Sequence, residues 1–208
     1  MMQTEEKKSG ETGRRGRLFE ISAPSGTGKT TLCEALKNRF PELCYSVSYT
    51  TRAPRAGEVE GKDYHFISVD EFRKGIEENR WVEWAEVYGN YYGTSAFTME
   101  EILASGRDLL LEIDVQGMRQ IVERFPETVT IFILPPSMDA LRERLVSRGT
   151  DKPEAMERRM ADATREMACR GDYRYRIVND DLERAKKALI FIVEACMKGE
   201  DPEQTDYK

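Results

Sequence analysis

The feature that most constrains this chain is the run Ala23-Pro24-Ser25-Gly26-Thr27-Gly28-Lys29-Thr30-Thr31. It joins a short apolar segment, LFEIS from Leu18, directly to an amphipathic one, TTLCEALKNRF from Thr30. A glycine-rich turn that ends in Lys-Thr between a strand and a helix is the pattern of a phosphate-binding loop. Gly26 and Gly28 let the backbone curl so that successive N–H groups face inward, and the start of the helix adds partial positive charge. On this reading residues 23–31 cradle nucleotide phosphates, Lys29 bridges the β and γ phosphates, and the Thr30 hydroxyl ligates Mg²⁺, partly through water. Ala23 stands where the usual motif has glycine. It precedes the tight part of the loop, so a small residue there is compatible with the turn. The competing explanation, a glycine-rich connector that happens to precede a helix, has to treat the flanking strand, lysine and hydroxyl as coincidences.

A strand–loop–helix start favours a parallel α/β sheet, and the rest of the chain keeps that rhythm. LFEIS, CYSVSYTT from Cys44, LLLEID from Leu109, TVTIFIL from Thr128 and YRIVN from Tyr175 read as strands. Helical patterns fall at 30–40, 95 or 98 to 105, 116–125, 137–148, 153–169 and 181–198. Residues 52–94 break the alternation. They are turn-rich and aromatic, with a short helix near 69–79 and a hairpin turn expected at Gly89-Asn90. The expected fold is therefore a three-layer α/β phosphate-loop fold with a parallel central sheet and a small antiparallel insertion.

With 208 residues one domain is the default. No segment reaches the length of a membrane span, and the polar start has no apolar signal region, so the expected location is the cytoplasm. The four cysteines form neither a CxxC pair nor a zinc pattern with the single histidine, and read as free thiols in a reducing compartment. A net charge of −6 argues against general attraction to nucleic acid, so an anionic substrate has to be captured by local arginines and lysines. Residues 1–16 and 199–208 are polar and aperiodic, and are expected to be mobile tails.

Such a local cluster lies in SVSYTTRAPRAGEVEGKDYHF. Arg52 and Arg55, three apart, with the phenols of Tyr64 and Tyr92, are donors suited to a doubly charged phosphate, although a solvated arginine pair is the plain alternative. This segment, with VEWAEVYGNYYGTS, LEIDVQG, SRGTDKPEAMERRM and IVNDD, resembles guanylate kinases over residues 17–198. The resemblance implies ATP-dependent phosphorylation of GMP, and of dGMP, to GDP with release of ADP. It divides the chain into a core at 17–47, 96–136 and 170–198, a GMP-binding insertion at 48–95, and a helical lid at 137–169.

The resemblance also assigns residues. Arg52, Arg55, Tyr64 and Tyr92 would hold the GMP phosphate. Glu83 would read guanine, since a carboxylate can accept from N1–H and the N2 amine together, and Ser48 and Thr94 would bond other polar atoms of the base. Asp114, at a strand end where α/β folds place ligand groups, would assist near the guanine or the metal-water network, or else simply cap the next helix. Arg148 and Arg159 would reach the transferring phosphates, while Arg142, Arg144 and Arg158 read as solvated. Asn179 would lie near the adenine of ATP. His65 is expected to pack or face solvent, because phosphoryl transfer needs positioning and charge neutralisation rather than a nucleophile and base. The catalytic set is then Lys29, Arg52, Arg148 and Arg159, with Mg²⁺ accompanying ATP and a homo-oligomer left open. Two other functions compete: a guanylate-kinase-like peptide-binding scaffold, which the intact phosphate loop disfavours, and a kinase for another small acceptor, which Glu83 and the arginine pair disfavour.

Overall fold

The structure, a computed structural model, describes residues 13–147 and 153–207. In chain order the elements are β1 (Leu18–Ser22), α1 (Lys29–Arg39), β2 (Cys44–Tyr45), β3 (Tyr49–Thr50), β4 (His65–Phe66), α2 (Val69–Glu77), β5 (Trp81–Val87) and β6 (Asn90–Ser95). There follow α3 (Ala96–Ala104), β7 (Leu109–Leu111), α4 (Val115–Arg124), β8 (Val129–Leu134), α5 (Met138–Ser147), α6 (Pro153–Ala168), β9 (Tyr175–Val178), α7 (Leu182–Lys198) and β10 (Asp206–Tyr207). Several helices begin where a short polar side chain takes over an orphan N–H: Ser68 accepts from Glu71, Ser95 from Thr98, and Asp181 from Arg184.

The main sheet runs β10-β9-β8-β1-β7-β2, and every neighbouring pair is parallel. All five residues of β1 and all six of β8 are buried, because helices cover both faces of a parallel sheet. Phe19 and Ile21 face a core built with Leu32 and Leu36 of α1 and Leu189 and Ile192 of α7. Leu18 faces the opposite core, with Leu103 of α3 and Met118 and Ile121 of α4. Each such fully buried side chain stabilises the fold by roughly 1.5–3 kcal/mol.

The second sheet, β4-β3-β6-β5, is inserted between β2 and α3. It is the antiparallel insertion expected, with β3–β6 and β5–β6 antiparallel and one short parallel pair, β3–β4, at its edge. Its outer strand β5 is clamped onto α4 by Gln120, which accepts from Trp84 N at 3.2 Å and donates to Trp84 O at 2.8 Å.

Three expectations from the sequence are corrected. CYSVSYTT is not one strand. Its first residues pair with β7 in the main sheet and its later ones with β6 in the second, the chain crossing between sheets after Ser46 N bonds Leu110 O. The hairpin turn is Tyr88-Gly89 rather than Gly89-Asn90, since both carry positive φ (53° and 75°) and Asn90 is already paired with Val87. Residues 199–208, expected as a mobile tail, carry β10. That edge strand is tied down by Arg176 to Asp206 and by Tyr175, whose hydroxyl donates to Asp201 at 2.6 Å. The four cysteines are free thiols, and no described helix is long and apolar enough to cross a membrane.

Candidate active site

The phosphate loop leaves β1 and turns into α1. Within it only Gly26 (φ 93°) and Gly28 (φ 97°) take left-handed backbone, so Ala23 in place of glycine costs the turn nothing. Thr27 is buried, and its N–H and hydroxyl both donate to Pro24 O, at 3.1 and 2.6 Å; it shapes the loop from within instead of lining the cleft. From behind, Asn179 Nδ2 donates to Thr27 O at 2.7 Å, and Arg144 Nη2 donates to Asn179 O at 2.9 Å. Asn179 therefore braces the loop and does not line the cleft. Arg144, expected to be solvated, is part of the same brace. A methyl group at Gly26 would meet Leu145 and Leu141 of α5 at 2.9 and 3.2 Å, so α5 packs directly against the turn.

The loop forms one wall of a cleft of ≈1020 Å³, with Lys29, Thr30 and Thr31 at the start of α1. The facing wall comes from the second sheet. Arg52 makes a bidentate pair with Glu58 at 2.8 and 3.0 Å and lies over the Tyr64 ring at 5.4 Å. Glu58 also accepts from Arg55 N at 2.7 Å, and these contacts hold its carboxyl below the usual range. Arg52, Arg55, Tyr64 and Tyr92 thus converge on one stretch of the cleft. Glu58, which orients the arginine, went unnoticed in the sequence. Its place six residues after Arg52 in TTRAPRAGEVEG is the signal that could have found it.

Glu83 lines the same cleft, 3% exposed. A register shift between Trp81 and Glu83 makes Trp81, Val82 and Glu83 all buried, which strict alternation along β5 would forbid. Thr94 lies opposite on β6, and its hydroxyl donates to Glu83 Oε1 at 2.6 Å. Thr94 is therefore behind the carboxylate and outside the cleft lining, orienting Glu83. The other oxygen, Oε2, sits where a methyl group at Gly117 would be 2.4 Å away, so a side chain at that position of α4 would press the carboxylate out of its place. Gly117 is a second residue missed in the sequence. Burial, helped by Asp114 and opposed by the Thr94 hydrogen bonds, pushes the Glu83 carboxyl up to about 7. Asp114 does both things expected of it: it lines the cleft, and its Oδ1 caps α4 by accepting from Gln116 N and Gly117 N at 3.1 and 2.9 Å. Ser48 also lines the cleft.

Helix α6 closes the remaining side. Arg159 Nη1 donates to Ser25 Oγ of the phosphate loop at 3.2 Å. Asp162, Arg165 and Glu166 also line the cleft, and burial with Asp114 and Asp162 raises the Glu166 carboxyl to about 7. Arg148 lies outside the described residues. Among those that are described, no group of three His, Cys, Asp or Glu side chains could hold a metal ion. His65 packs at a tilt against Tyr49, ring centroids 4.6 Å apart, and pairs with Glu60 at 3.0 Å, away from the cleft lining.

The family model described as guanylate kinase matches residues 15–196. Guanylate kinase of Rubrobacter xylanophilus is 48% identical over 189 residues, spanning 91% of this chain and 99% of that protein. The guanylate kinase of Geobacter metallireducens is 52% identical over 185 residues, 88% of this chain and 91% of that one. Among solved structures, the crystal structure of guanylate kinase from Anaplasma phagocytophilum superposes with a TM-score of 0.71 at 35% identity, covering 87% of this chain and 86% of that one.

Proposed function

This chain belongs to the guanylate kinase family and phosphorylates GMP to GDP at the expense of ATP, and we propose that the two walls of its cleft divide the substrates between them. The triphosphate of ATP lies on residues 23–31, with Lys29 at the β and γ phosphates. GMP lies on the second sheet, its phosphate held by Arg52, Arg55, Tyr64 and Tyr92 and its base by Glu83 and Ser48. Asp114 lies beside them, and Thr94 keeps Glu83 in place. The observation that carries this reading is a buried carboxylate, Glu83, in one cleft with a phosphate loop and a paired-arginine phosphate grip.

Chemistry supports the division. Ionised Glu83 can accept two hydrogen bonds from the guanine N1–H and N2 edge, where adenine offers no such pair of donors. Lys29, Arg52 and Arg159, with Arg148 assigned by resemblance, bring positive charge to the phosphoryl group as it passes in line from ATP to GMP. Residues 48–95 and the helices of 137–169 act as the two closing parts, which exclude water from the transfer. The Thr30 hydroxyl, which lines the cleft at the start of α1, would hold Mg²⁺, an ion that keeps several waters and takes most other ligands from phosphate oxygens. When bound, the ion neutralises charge on the β and γ phosphates. The free thiols fit a reducing compartment, and we place the reaction in the cytoplasm.

A coupled assay of ADP release with GMP, dGMP, AMP, CMP, UMP and dTMP tests the substrate division. GMP, followed by dGMP, is expected to dominate. Equal use of AMP would remove the guanine-reading role of Glu83.

A further inference from the structure

Strand β5 lies at the edge of the second sheet, and what it presents to the cleft depends on the phase of its side chains. From Glu83 onward burial alternates: Glu83 and Ala85 are buried, Trp84 and Glu86 exposed. The register shift between Trp81 and Glu83 sets that phase. A slip of β5 by one residue would turn Glu83 to solvent and bring Trp84 into its place. Thr94 opposes Glu83 from β6, but on its other flank β5 has no strand beside it, so the N–H and C=O of Trp84 are edge groups without a ladder partner.

Gln120 supplies that partner. Its side-chain amide accepts from Trp84 N at 3.2 Å and donates to Trp84 O at 2.8 Å, standing in for the peptide group of a missing neighbouring strand. The same Nε2 also donates to Gln116 O at 3.3 Å, which keeps the side chain against its own helix. Gly117 and Gln120 are three apart and share a face of α4. One turn of that helix therefore meets two successive residues of β5, Glu83 through its carboxylate at Gly117 and Trp84 through its backbone at Gln120.

We propose that Gln120 is a positioning residue for acceptor choice: by holding the Trp84 backbone to α4 it locks the phase of β5 and keeps the Glu83 carboxylate in the cleft. Gln120 does not itself line the cleft. The inference rests on the reading of Glu83 as the residue that takes the guanine edge.

The test is kcat/KM for GMP and AMP, from about pH 5 to 8, on Gln120→Met, Gln120→Glu, Glu83→Gln and the Gln120→Met/Glu83→Gln double variant. Methionine matches glutamine in length and helix preference and removes both bonds to Trp84; glutamate removes only the donor. Gln120→Met is expected to lower kcat/KM for GMP about five- to tenfold, with AMP use within about twofold, and Gln120→Glu to give a smaller loss of the same kind. In Gln120→Met the rising limb of the GMP profile should also move to lower pH, because a carboxylate released toward water loses the burial that, with Asp114, holds its value up. The double variant should be within about twofold of Glu83→Gln alone, as expected when one residue acts through the other. Wild-type GMP use in Gln120→Met, equal losses on GMP and AMP, a pH limb that stays in place, or multiplied losses in the double variant would overturn the role of Gln120 while leaving Glu83 its own. An unchanged GMP-to-AMP preference in Glu83→Gln would overturn the reading of Glu83, and the lock with it.

Discussion

The two walls of the cleft are built by different physics. The phosphate wall is local: consecutive residues, two left-handed glycines and the first turn of one helix, gripping by backbone groups that any sequence possesses. The facing wall, proposed to take guanine, is assembled from distant pieces, Glu83 on one strand, Thr94 on its neighbour, and Gly117 and Asp114 at the start of a helix. What the difference teaches is where each kind of damage should appear. Removing the key side chain of the local wall should stop chemistry with any acceptor, whereas disturbing the assembled wall should change which acceptor is chosen.

The sharpest way to break the comparison is Lys29→Ala. Loss of the charge at the β and γ phosphates is expected to slow transfer by at least about a hundredfold for GMP and for poor acceptors alike. The thermal midpoint should hold, because the residue lines the cleft and adds little to either core. Near-normal turnover by the folded variant would show that the local wall is not the catalytic one.

Glu83→Gln comes next. It keeps the shape but turns an acceptor into a donor facing guanine N–H groups, and one unpaired buried donor costs roughly 1–3 kcal/mol, or more where a charge-assisted bond is lost. The expected drop in kcat/KM for GMP is about ten- to a hundredfold, at about 1.4 kcal/mol per decade, with AMP unaffected. The same carboxyl gives the pH profile its shape. With a value of about 7 in the free protein, it must lose its proton before accepting both guanine donors. Wild-type kcat/KM for GMP should climb with pH up to about 7 and level off above it, and this limb should vanish in Glu83→Gln. A flat wild-type profile between about pH 6 and 8 would show that ionisation of Glu83 does not limit binding.

Gly117→Ala attacks the assembly without replacing any side chain proposed to contact a ligand. Its methyl group would fall 2.4 Å from Glu83 Oε2, and a carboxylate packed at 3% exposure has little room to yield. About a tenfold loss in kcat/KM for GMP is expected, with ATP affinity by calorimetry unchanged. An equal loss on both substrates would mean that the substitution disturbs α4 as a whole.

The smallest effect on activity is expected beneath both walls, at Glu20. It is fully buried on β1, accepts from Ser22, and its Oε2 finds no hydrogen-bond partner; burial pushes its carboxyl well up, opposed by the Ser22 bond and by Lys29. The sign follows from linkage. A raised carboxyl leaves stability intact below about pH 4.5, where the unfolded chain is also protonated, and removes it progressively as pH rises toward the folded value. Glu20→Gln has no proton to lose, so its stability advantage over wild type should widen by up to about 1.4 kcal/mol per pH unit, with turnover retained. Urea unfolding of both proteins at pH 5 and pH 8 measures the gap; a constant gap would mean that Glu20 is ionised in the fold.

How much of this could be read in advance follows the same division. The strands expected at LFEIS, LLLEID, TVTIFIL and YRIVN, and the helices, lie within a few residues of their expected places, because continuous apolar runs and 3.6-residue periodicity are local signals. The errors fall where partners are distant. CYSVSYTT looks like one strand until two different sheets claim its ends, and GEDPEQTDYK looks like a tail until β9 offers an edge. Arg144 reads as a surface charge until Asn179 O and Thr27 O appear beside it.

The sequence by itself determined the phosphate loop, the α/β alternation and, through the resemblance carried by its motifs, the family and the acceptor. Each is encoded in contiguous residues whose backbone preferences or order suffice. Tertiary structure alone decided that the Thr94 hydroxyl donates to Glu83, that Asn179 braces the loop rather than lining the cleft, and that Gly117 makes space for a carboxylate. Those roles depend on which polar group is left unpaired once the chain has packed, and a buried donor or acceptor takes the partner that packing brings within about 3 Å, however far away it lies in sequence.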